Sequence, residues 1–181
     1  MKKLLIVIAI ILTACPGRSL AQATYTSITF EIKNVGITTG GSIGGLRTNV
    51  HFNPSNINGS TLEASVDVNT INTDNSSRDE HLRSEDFFDV AHFTKISLKS
   101  VSFKHKSGDN YIGRFMLTIK NRSKQVDIPF TFFDKDNMLT FKGSFKLNRL
   151  DFAVGSKSMI LSDEVTVNID CQEKKQELTQ L

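Results

Sequence analysis

Apolar and polar residues alternate in short runs from residue 25 onward, and this alternation predicts β-strands that each bury one face. Eight such runs can be read along the chain, namely Ile28–Ile32, Leu46–Phe52, Leu62–Val68, Ile96–Phe103, Tyr111–Ile119, Val126–Phe132, Leu139–Leu147 and Val165–Cys171. In the fourth run the apolar phase stops at Leu98 and resumes on Val101, which predicts a β-bulge near Lys99 and Ser100. Pro129 lies on the opposite phase of the sixth run and predicts an edge, a bulge or a weakly paired spot.

Short polar turns join most of these runs, so the sequence predicts an all-β meander over residues 25–171, followed by a polar tail at 172–181. A single open sheet would leave two unpaired edges, and closure into an eight-stranded antiparallel β-barrel removes them. A two-sheet sandwich is the alternative architecture. The interior of an eight-stranded barrel is either filled by side chains or holds one small ligand.

A charged, irregular segment interrupts the meander at about residues 74–93 and predicts a short helical insert. The run Ser77–Glu80 is typical of a helix start, with a serine as the cap and acidic residues in the first turn. Phe87, Phe88 and Phe93 are too apolar for a free surface loop. We therefore expect these three rings to pack against one end of the barrel.

Residues 1–21 have the pattern of a secretory signal, because a short positive start precedes the apolar run Leu4–Ala14. That run is too short to span a membrane, which takes about 20 residues. Small residues near the end of the segment favour cleavage after Ala21. The alternative is a lipoprotein signal that ends before Cys15, since Leu12–Cys15 resembles a lipobox whose cysteine is acylated. Both alternatives predict a periplasmic or secreted protein, with membrane association only if Cys15 is lipidated.

The charge content argues against a nucleic-acid-binding protein, and the cysteine content argues against a protein held together by disulfides. The chain has 22 basic and 19 acidic residues, and Lys2, Lys3 and Arg18 lie in the predicted signal, so the remaining chain is balanced at 19 of each. A nucleic-acid partner therefore lacks electrostatic support. Cys15 and Cys171 are the two cysteines, so no disulfide framework is expected. Cys171 lies on the apolar phase of the last run and is predicted to be a small buried hydrophobe rather than a reactive thiol.

The insert carries a resemblance to a known family. The segments Asn72–Asn75 and Arg78–Val90 resemble the signature of the YceI-like family, and the similarity extends over about residues 25–170. Further similar blocks follow in the same order, at Phe103-Lys104, Leu117–Ile119, Asn148–Phe152 and Asp163–Val165. Asn121-Arg122 departs from the glycine turn usual in the family, and Thr38–Ser42 is richer in glycine than is typical. We expect both departures to lie in loops.

This resemblance implies a lipocalin-like barrel, exported to the periplasm, that holds a polyisoprenoid or a fatty amide in its interior. Some members of the family pair as homodimers. We therefore expect an exported lipid-binding protein with a carrier or storage role, without a cofactor and without enzymatic activity. The alternatives are an exported enzyme that acts on a bound lipid, and a lipid-free structural or stress protein.

The inward phase of the strands and the apolar part of the insert supply the candidate ligand-contacting residues. These candidates are Phe30, Ile32, Val50, Phe52, Val66, Val68, Phe87, Phe88, Phe93, Phe103, Phe115, Leu117, Phe130, Phe132, Phe141, Phe145 and Phe152. Such side chains either fill the barrel as a core or line a cavity. A lining rich in phenylalanine and free of tryptophan favours a smooth apolar cavity.

Three arginines are candidates for a polar mouth by the family match: Arg78, Arg83 and Arg149. Acidic residues lie near them in the sequence, at Asp79, Asp86, Asp89 and Asp151. We expect Arg–carboxylate pairs that fix the insert to the barrel, an arrangement that needs no ligand.

Two further sequence features, a G-x-S-x-G match and the histidines, do not indicate a catalytic or a metal site. The segment Gly40–Gly44 matches the G-x-S-x-G pattern of a nucleophile elbow, but that motif requires a strand-to-helix turn, and here the segment is predicted to join two strands. The glycines of this segment are explained by the backbone conformations that a turn between two strands requires. The four histidines, His51, His81, His92 and His105, are scattered, so no metal site is expected.

Overall fold

The computed structural model describes residues 21–22 and 25–175, and within them the chain forms nine strands, one α-helix and two short 3-10 turns. The strands are β1 (Ala21–Gln22), β2 (Tyr25–Asn34), β3 (Ile37–His51), β4 (Thr61–Asn72), β5 (Lys95–Ser107), β6 (Asn110–Ile119), β7 (Arg122–Lys135), β8 (Met138–Asn148) and β9 (Leu161–Lys174). Helix α1 is Ser76–Arg83, and the 3-10 turns are Pro54–Gly59 and Arg149–Phe152. The predicted signal, apart from Ala21, lies outside the described residues, and so does Cys15.

Strands β2 to β9 form a closed antiparallel barrel. Each strand pairs with the next along the chain, and β9 pairs with β2 from Tyr25–Gln172 to Asn34–Leu161, which closes the sheet on itself. The short β1 adds to β3 beside Thr48. The predicted eight-stranded antiparallel barrel is confirmed, and the sandwich alternative is excluded.

Strand β3 contains the glycine-rich segment that was expected to form a loop. Residues Ile37–Ser42 pair with β2, and Ser42–His51 pair with β4, with register shifts around Gly44. A Cβ atom on Gly41 would lie 2.6 Å from the Phe30 ring and 2.7 Å from the Asn72 carbonyl oxygen. The glycine therefore lets three strands approach one another. The expectation that Thr38–Ser42 forms a loop is wrong. The motif Gly40–Gly44 lies inside a strand, without the strand-to-helix turn of a nucleophile elbow.

The two irregularities predicted within strands are present. The register between β5 and β6 shifts by one residue at Val101, immediately after the predicted Ser100. The ladder between β7 and β8 ends at Phe130 and Gly143, directly beside Pro129. The ladder with β6 continues through Pro129, which lies opposite Ile112, so only the pairing with β8 stops there. Because proline has no N–H to donate, this is the weakly paired spot that the sequence predicted.

An aromatic cluster fills the end of the barrel that carries the β5–β6 and β7–β8 turns. Phe52 lies at its centre, just before the 3-10 turn, and its ring contacts five others edge-on. The ring centroids lie 5.1 Å away for Phe103, 5.2 Å for Tyr111, 5.7 Å for Phe130, 4.6 Å for Phe132 and 6.1 Å for Phe141. We call these six residues the aromatic plug. Edge-to-face rings at such distances pack tightly, so this end of the barrel is closed.

The insert covers the opposite end. Helix α1 is capped by Asn75, whose Oδ1 accepts from the Arg78 backbone N–H at 2.9 Å. The cap expected at Ser77 is therefore wrong by two residues, because Ser77 already lies inside the helix. The buried Asp79 carboxylate accepts from the Thr73 backbone N–H at 2.8 Å and from its hydroxyl at 2.5 Å. No helix among the described residues combines the length and apolar character needed to cross a membrane.

Strand β9 extends three residues beyond the predicted end at Cys171. Gln172–Lys174 were expected in the polar tail, but they pair with β8 and belong to the barrel. Glu173 points inward, and its Oε2 accepts from Thr48 Oγ1 at 2.6 Å, with both residues 4% exposed. The pair links the end of β9 to β3 inside the barrel.

Substituting Thr48→Val is expected to lower the free energy of unfolding by about 1–3 kcal/mol, because the buried Glu173 carboxylate loses its hydroxyl donor. Chemical denaturation followed by circular dichroism measures the change. Thr61→Val on the exposed face of β4 is the matched control and is expected to stay within about 0.5 kcal/mol of the parent. Equal stability of the two variants would show that the Thr48–Glu173 hydrogen bond contributes nothing to the free energy of unfolding.

Candidate ligand-binding tunnel

The barrel interior contains two adjoining apolar chambers. The inner chamber, next to the aromatic plug, has a volume of about 150 Å³. The outer chamber, beneath the insert, has a volume of about 920 Å³. The two chambers meet at a ring of six side chains that line both, which we call the waist: Ile28, Val66, Ile96, Leu117, Phe145 and Val167. Together they form a tunnel that is closed at the plug and opens at the insert.

The mouth of the tunnel is framed by the insert and by the connection between β8 and β9. The Gly155 backbone N–H donates to the Asp86 carbonyl at 3.0 Å and ties these segments together. Gly155 has φ +69°, and a Cβ atom there would lie 2.9 Å from both Phe87 and Arg149. Only glycine fits between these two side chains, so the frame is closely packed at this point.

Most of the predicted contact residues line the tunnel. Those that do are Phe30, Ile32, Val50, Val66, Phe87, Phe88, Phe115, Leu117, Phe130, Phe141 and Phe145. Phe87 and Phe88 lie against the barrel end, as the sequence predicted.

Six predicted contact residues lie elsewhere in the structure. Phe52, Phe103 and Phe132 belong to the aromatic plug, where they pack on each other instead of facing the chambers. Phe152 and Val68 are each 1% exposed and form part of the solid core, and Phe93 lies beside the His92 ring outside the chamber walls. The interior is therefore a packed core at one end and a cavity over the rest, so both of the sequence-based alternatives hold in part.

Arg149 holds the β8–β9 connection in place. The guanidinium is 3% exposed and donates four hydrogen bonds. Its acceptors are the carbonyls of Ser162 at 2.9 Å, Val154 at 2.9 Å and Ser156 at 2.8 Å, and Asp163 Oδ1 at 3.1 Å. Arg149 therefore has a carboxylate partner, but Asp163 is none of the four acidic residues that lie near the arginines in the sequence, which are Asp79, Asp86, Asp89 and Asp151. Arg149 lines the outer chamber but uses its donors to shape the wall.

Arg78 and Arg83 donate to backbone carbonyls and to a hydroxyl rather than to carboxylates. Arg78 Nε donates to Thr73 Oγ1 at 2.8 Å, and its Nη2 donates to the Thr73 carbonyl. Arg83 donates to the carbonyls of Asn69 at 3.1 Å and Ile71 at 2.9 Å. Arg83 fixes the insert to β4, and Arg78 binds Thr73, directly after that strand. Arg78 lines the outer chamber, whereas Arg83 does not. For Arg78 and Arg83 the predicted Arg–carboxylate pairs are therefore replaced by bonds to backbone carbonyls and to the Thr73 hydroxyl. Arg149 does pair with a carboxylate, that of Asp163.

Lys120 is a mouth residue that the sequence did not single out. It lies in the turn between β6 and β7, and its Nζ lies 3.4 Å from the Glu85 carbonyl and 3.3 Å from the Ala153 carbonyl. These long contacts leave the ammonium less fully engaged than the arginines. Lys120 is thus the cation of the outer chamber that a ligand can reach with the least rearrangement.

Cys171 lines the inner chamber, and its thiol is buried. Burial, followed by the nearby negative charge of Glu173, raises the pKa of the thiol to about 11. A thiol with so high a pKa carries little thiolate at neutral pH and is a poor nucleophile. The prediction of a small buried hydrophobe agrees with this environment.

The histidines are distributed over separate sites. His81 contacts the Phe87 ring edge-on with centroids 4.9 Å apart, and His92 Nδ1 lies 2.8 Å from Asp89 Oδ1. No group of three or more His, Cys, Asp or Glu side chains suited to a metal ion occurs within residues 25–175.

The sequence and the fold of this chain are similar to those of known proteins. The model of the YceI-like domain matches residues 21–172 of this chain. The chain belongs to the YceI-like family. A UPF0312 protein of Vibrio cholerae is 23% identical over 140 residues, which make up 74% of this chain and 74% of the relative. The family predicted from the insert signature is thereby confirmed.

Two solved structures show the same YceI-like, lipocalin-like fold. The crystal structure of BcnA from Burkholderia cenocepacia has a TM-score of 0.80 and 20% identity, and it covers 85% of this chain and 99% of that one. A polyisoprenoid binding domain from Saccharophagus degradans, implicated in plant cell wall breakdown, has a TM-score of 0.70 and 12% identity. That likeness covers 87% of this chain and 100% of the other.

Several lining residues of this YceI-like tunnel were missed by the sequence reasoning. Ile119 and Leu147 continue the inward phase of predicted strands, so the alternation contained the signal for them. Val154 and Ile160 lie on the β8–β9 connection, where no periodic pattern predicts orientation. Their positions depend on Arg149, whose carbonyl partners are determined only by the folded chain.

Proposed function

We propose that this protein is an exported binding protein that holds a polyisoprenoid or another long-chain amphiphile in its tunnel, as a carrier or a store. The observation that carries the proposal is the one-ended apolar tunnel, with chambers of about 150 and 920 Å³ that meet at the waist. Ligand pockets in proteins commonly measure about 300–1,000 Å³, and the outer chamber falls in this range.

The inner chamber suits the apolar end of the ligand. Its volume of about 150 Å³ and its apolar lining suit a short stretch of hydrocarbon chain. A methylene contributes about 0.8 kcal/mol on burial, so ten methylenes along the tunnel give about 8 kcal/mol before ordering costs. This corresponds to an affinity in the micromolar range.

The outer chamber suits a polar head without a strong charge. Its ionisable lining includes the cations Arg78, Lys120 and Arg149 and the carboxylates Glu85 and Asp86. Arg78 and Arg149 already donate to protein acceptors, so few cationic donors remain for a diphosphate. The balance favours a head that accepts one or two hydrogen bonds, such as a carbonyl or an amide.

A binding role is favoured over catalysis by the chemistry of the inner wall. Its thiol, Cys171, has a pKa of about 11, and its carboxylate, Glu173, accepts from Thr48. Neither is arranged as an activated nucleophile beside a base.

The pattern of residues 1–21 supports the exported part of the proposal. N-terminal sequencing of the mature protein distinguishes cleavage after Ala21 from acylation of Cys15.

Organic extraction of the denatured protein, purified without detergent, tests the proposal by mass spectrometry. A long-chain amphiphile recovered in near-stoichiometric amount, and chemically unaltered, is the expected result. The second measurement is displacement of a fluorescent fatty-acid probe by polyprenols and by fatty amides of increasing length. A protein that carries no lipid and takes up none of these compounds would refute the proposal, and an altered lipid would favour an enzyme.

A further inference from the structure

Four aliphatic side chains stand exposed beside the tunnel mouth. Val35 is 68% exposed, Ile37 71%, Met159 104% and Ile160 61%. Val35 lies in the β2–β3 turn, Ile37 begins β3, and the other two lie on the β8–β9 connection. The Val35 backbone N–H donates to the Ile160 carbonyl at 2.7 Å. That bond holds the two segments side by side. We call these four residues the rim patch.

The conformation of Val35 opposes the preference of its side chain. Val35 has φ 51° and Gly36 has φ 77°, so both central residues of the β2–β3 turn are left-handed. This is the geometry of a type I′ turn, in which asparagine or glycine is favoured at the first central position. A β-branched residue there is strained, and its side chain extends into solvent. Neither local stability nor core packing accounts for the valine.

From the rim patch we propose that this protein docks on the surface of a lipid bilayer with its tunnel mouth facing the membrane. Ile160 belongs to the rim patch and also lines the outer chamber, so the patch is continuous with the opening through which a ligand would pass. The inference goes beyond the proposed function, since docking is independent of what the tunnel holds.

The charge around the rim patch and the small size of the patch favour a lipid bilayer as the surface that it contacts. Lys33 and Lys157 lie within two residues of the patch in sequence, whereas the carboxylates of the outer chamber, Glu85 and Asp86, lie in the insert and not on the segments that carry the patch. Basic side chains beside exposed aliphatic ones suit an anionic lipid surface. A stable protein–protein interface takes about 20–30 residues on each side, and four aliphatic residues fall far short of that number.

Flotation with vesicles of phosphatidylethanolamine and phosphatidylglycerol tests the docking. All chains carry Cys15→Ser in the full-length background, so no acyl group at residue 15 anchors them, and any contribution of residues 1–21 is common to all. The double variant Val35→Asn/Met159→Ser is expected to bind the vesicles about tenfold or more weakly. Asparagine suits the left-handed turn, so this variant is expected to keep its thermal stability.

The control replaces two exposed apolar residues away from the mouth, Val101→Thr and Phe133→Thr, and is expected to bind like the parent. Because the chain has no tryptophan, Met159→Trp introduces a single fluorophore, which brominated lipids are expected to quench. Phe133→Trp is expected to stay unquenched. Equal flotation of all variants, or an unquenched tryptophan at position 159, overturns the proposal. Self-association that depends on the patch, without vesicle binding, also overturns it and identifies a contact between copies of this chain.

Discussion

Arg149→Met is expected to lower the free energy of unfolding by about 3–5 kcal/mol, because it removes the four hydrogen bonds of a buried guanidinium. Two carbonyls of the β8–β9 connection, those of Val154 and Ser156, then lose a donor, and so do the Ser162 carbonyl and the Asp163 carboxylate on β9. Methionine fills part of the space but offers no N–H. Chemical denaturation measures the loss, and a fall in melting temperature of about 6–20 °C accompanies it.

Two further variants show whether the effect comes from the hydrogen bonds. Arg149→Lys retains the charge but cannot reproduce a planar fork that serves four acceptors, so it is expected to recover only part of the loss. Arg122→Met changes an exposed arginine at the start of β7 and is expected to leave stability within about 0.5 kcal/mol. If Arg149→Met were as stable as Arg122→Met, the β8–β9 connection would not depend on the buried guanidinium.

Val167→Phe is expected to weaken the binding of long-chain ligands by about 2–4 kcal/mol, or roughly 30- to 1,000-fold. Val167 lies on β9 in the waist, opposite the inward strand positions Phe30 and Phe145 in the ladder. A larger ring there closes the passage between the chambers, so the inner chamber no longer receives the apolar end. Ligands short enough to remain in the outer chamber are expected to keep their affinity. Displacement titrations with a homologous series of fatty amides measure the difference.

Val165→Phe is the matched control for this experiment. Val165 lies on the same strand and lines the outer chamber without belonging to the waist. The same substitution there is expected to weaken short and long ligands alike, whereas Val167→Phe discriminates between them. A dependence on chain length that is the same for both variants would show that long ligands do not pass the waist.

The strands were predictable because a half-buried strand alternates residue by residue, and the fifth to eighth runs kept this pattern throughout, whereas the fourth changed phase at its bulge. Strand β3 was only partly predictable. Its first half contains Gly40 and Gly41, which have no side chains to mark a face, and glycine there reflects the crowding of Phe30 rather than a turn. Local pattern does not reveal a close approach made by a neighbouring strand.

The sequence predicted which residue types face the barrel interior, but it did not predict which of them line a chamber and which pack in the aromatic plug. Phe52 and Phe115 both lie on the inward phase, yet one is at the centre of the aromatic plug and the other lines the inner chamber. Their depth along the barrel decides this difference, and alternation carries no information about depth. Arg149 was a sequence candidate for the polar mouth and lines the outer chamber, but three of its four acceptors are backbone carbonyls, which every residue possesses and no motif marks.

The seam between β2 and β9 has a consequence for how the chain matures. It joins the first long strand to the last, so the pairs Tyr25–Gln172 and Asn34–Leu161 connect residues from nearly opposite ends of the polypeptide. Until β9 has been synthesised, β2 and β8 are open edges that can recruit other chains. Contacts of such sequence separation also slow folding. A chain truncated before β9 would therefore aggregate rather than hold lipid, and export in an unfolded form would postpone closure until the whole polypeptide has arrived.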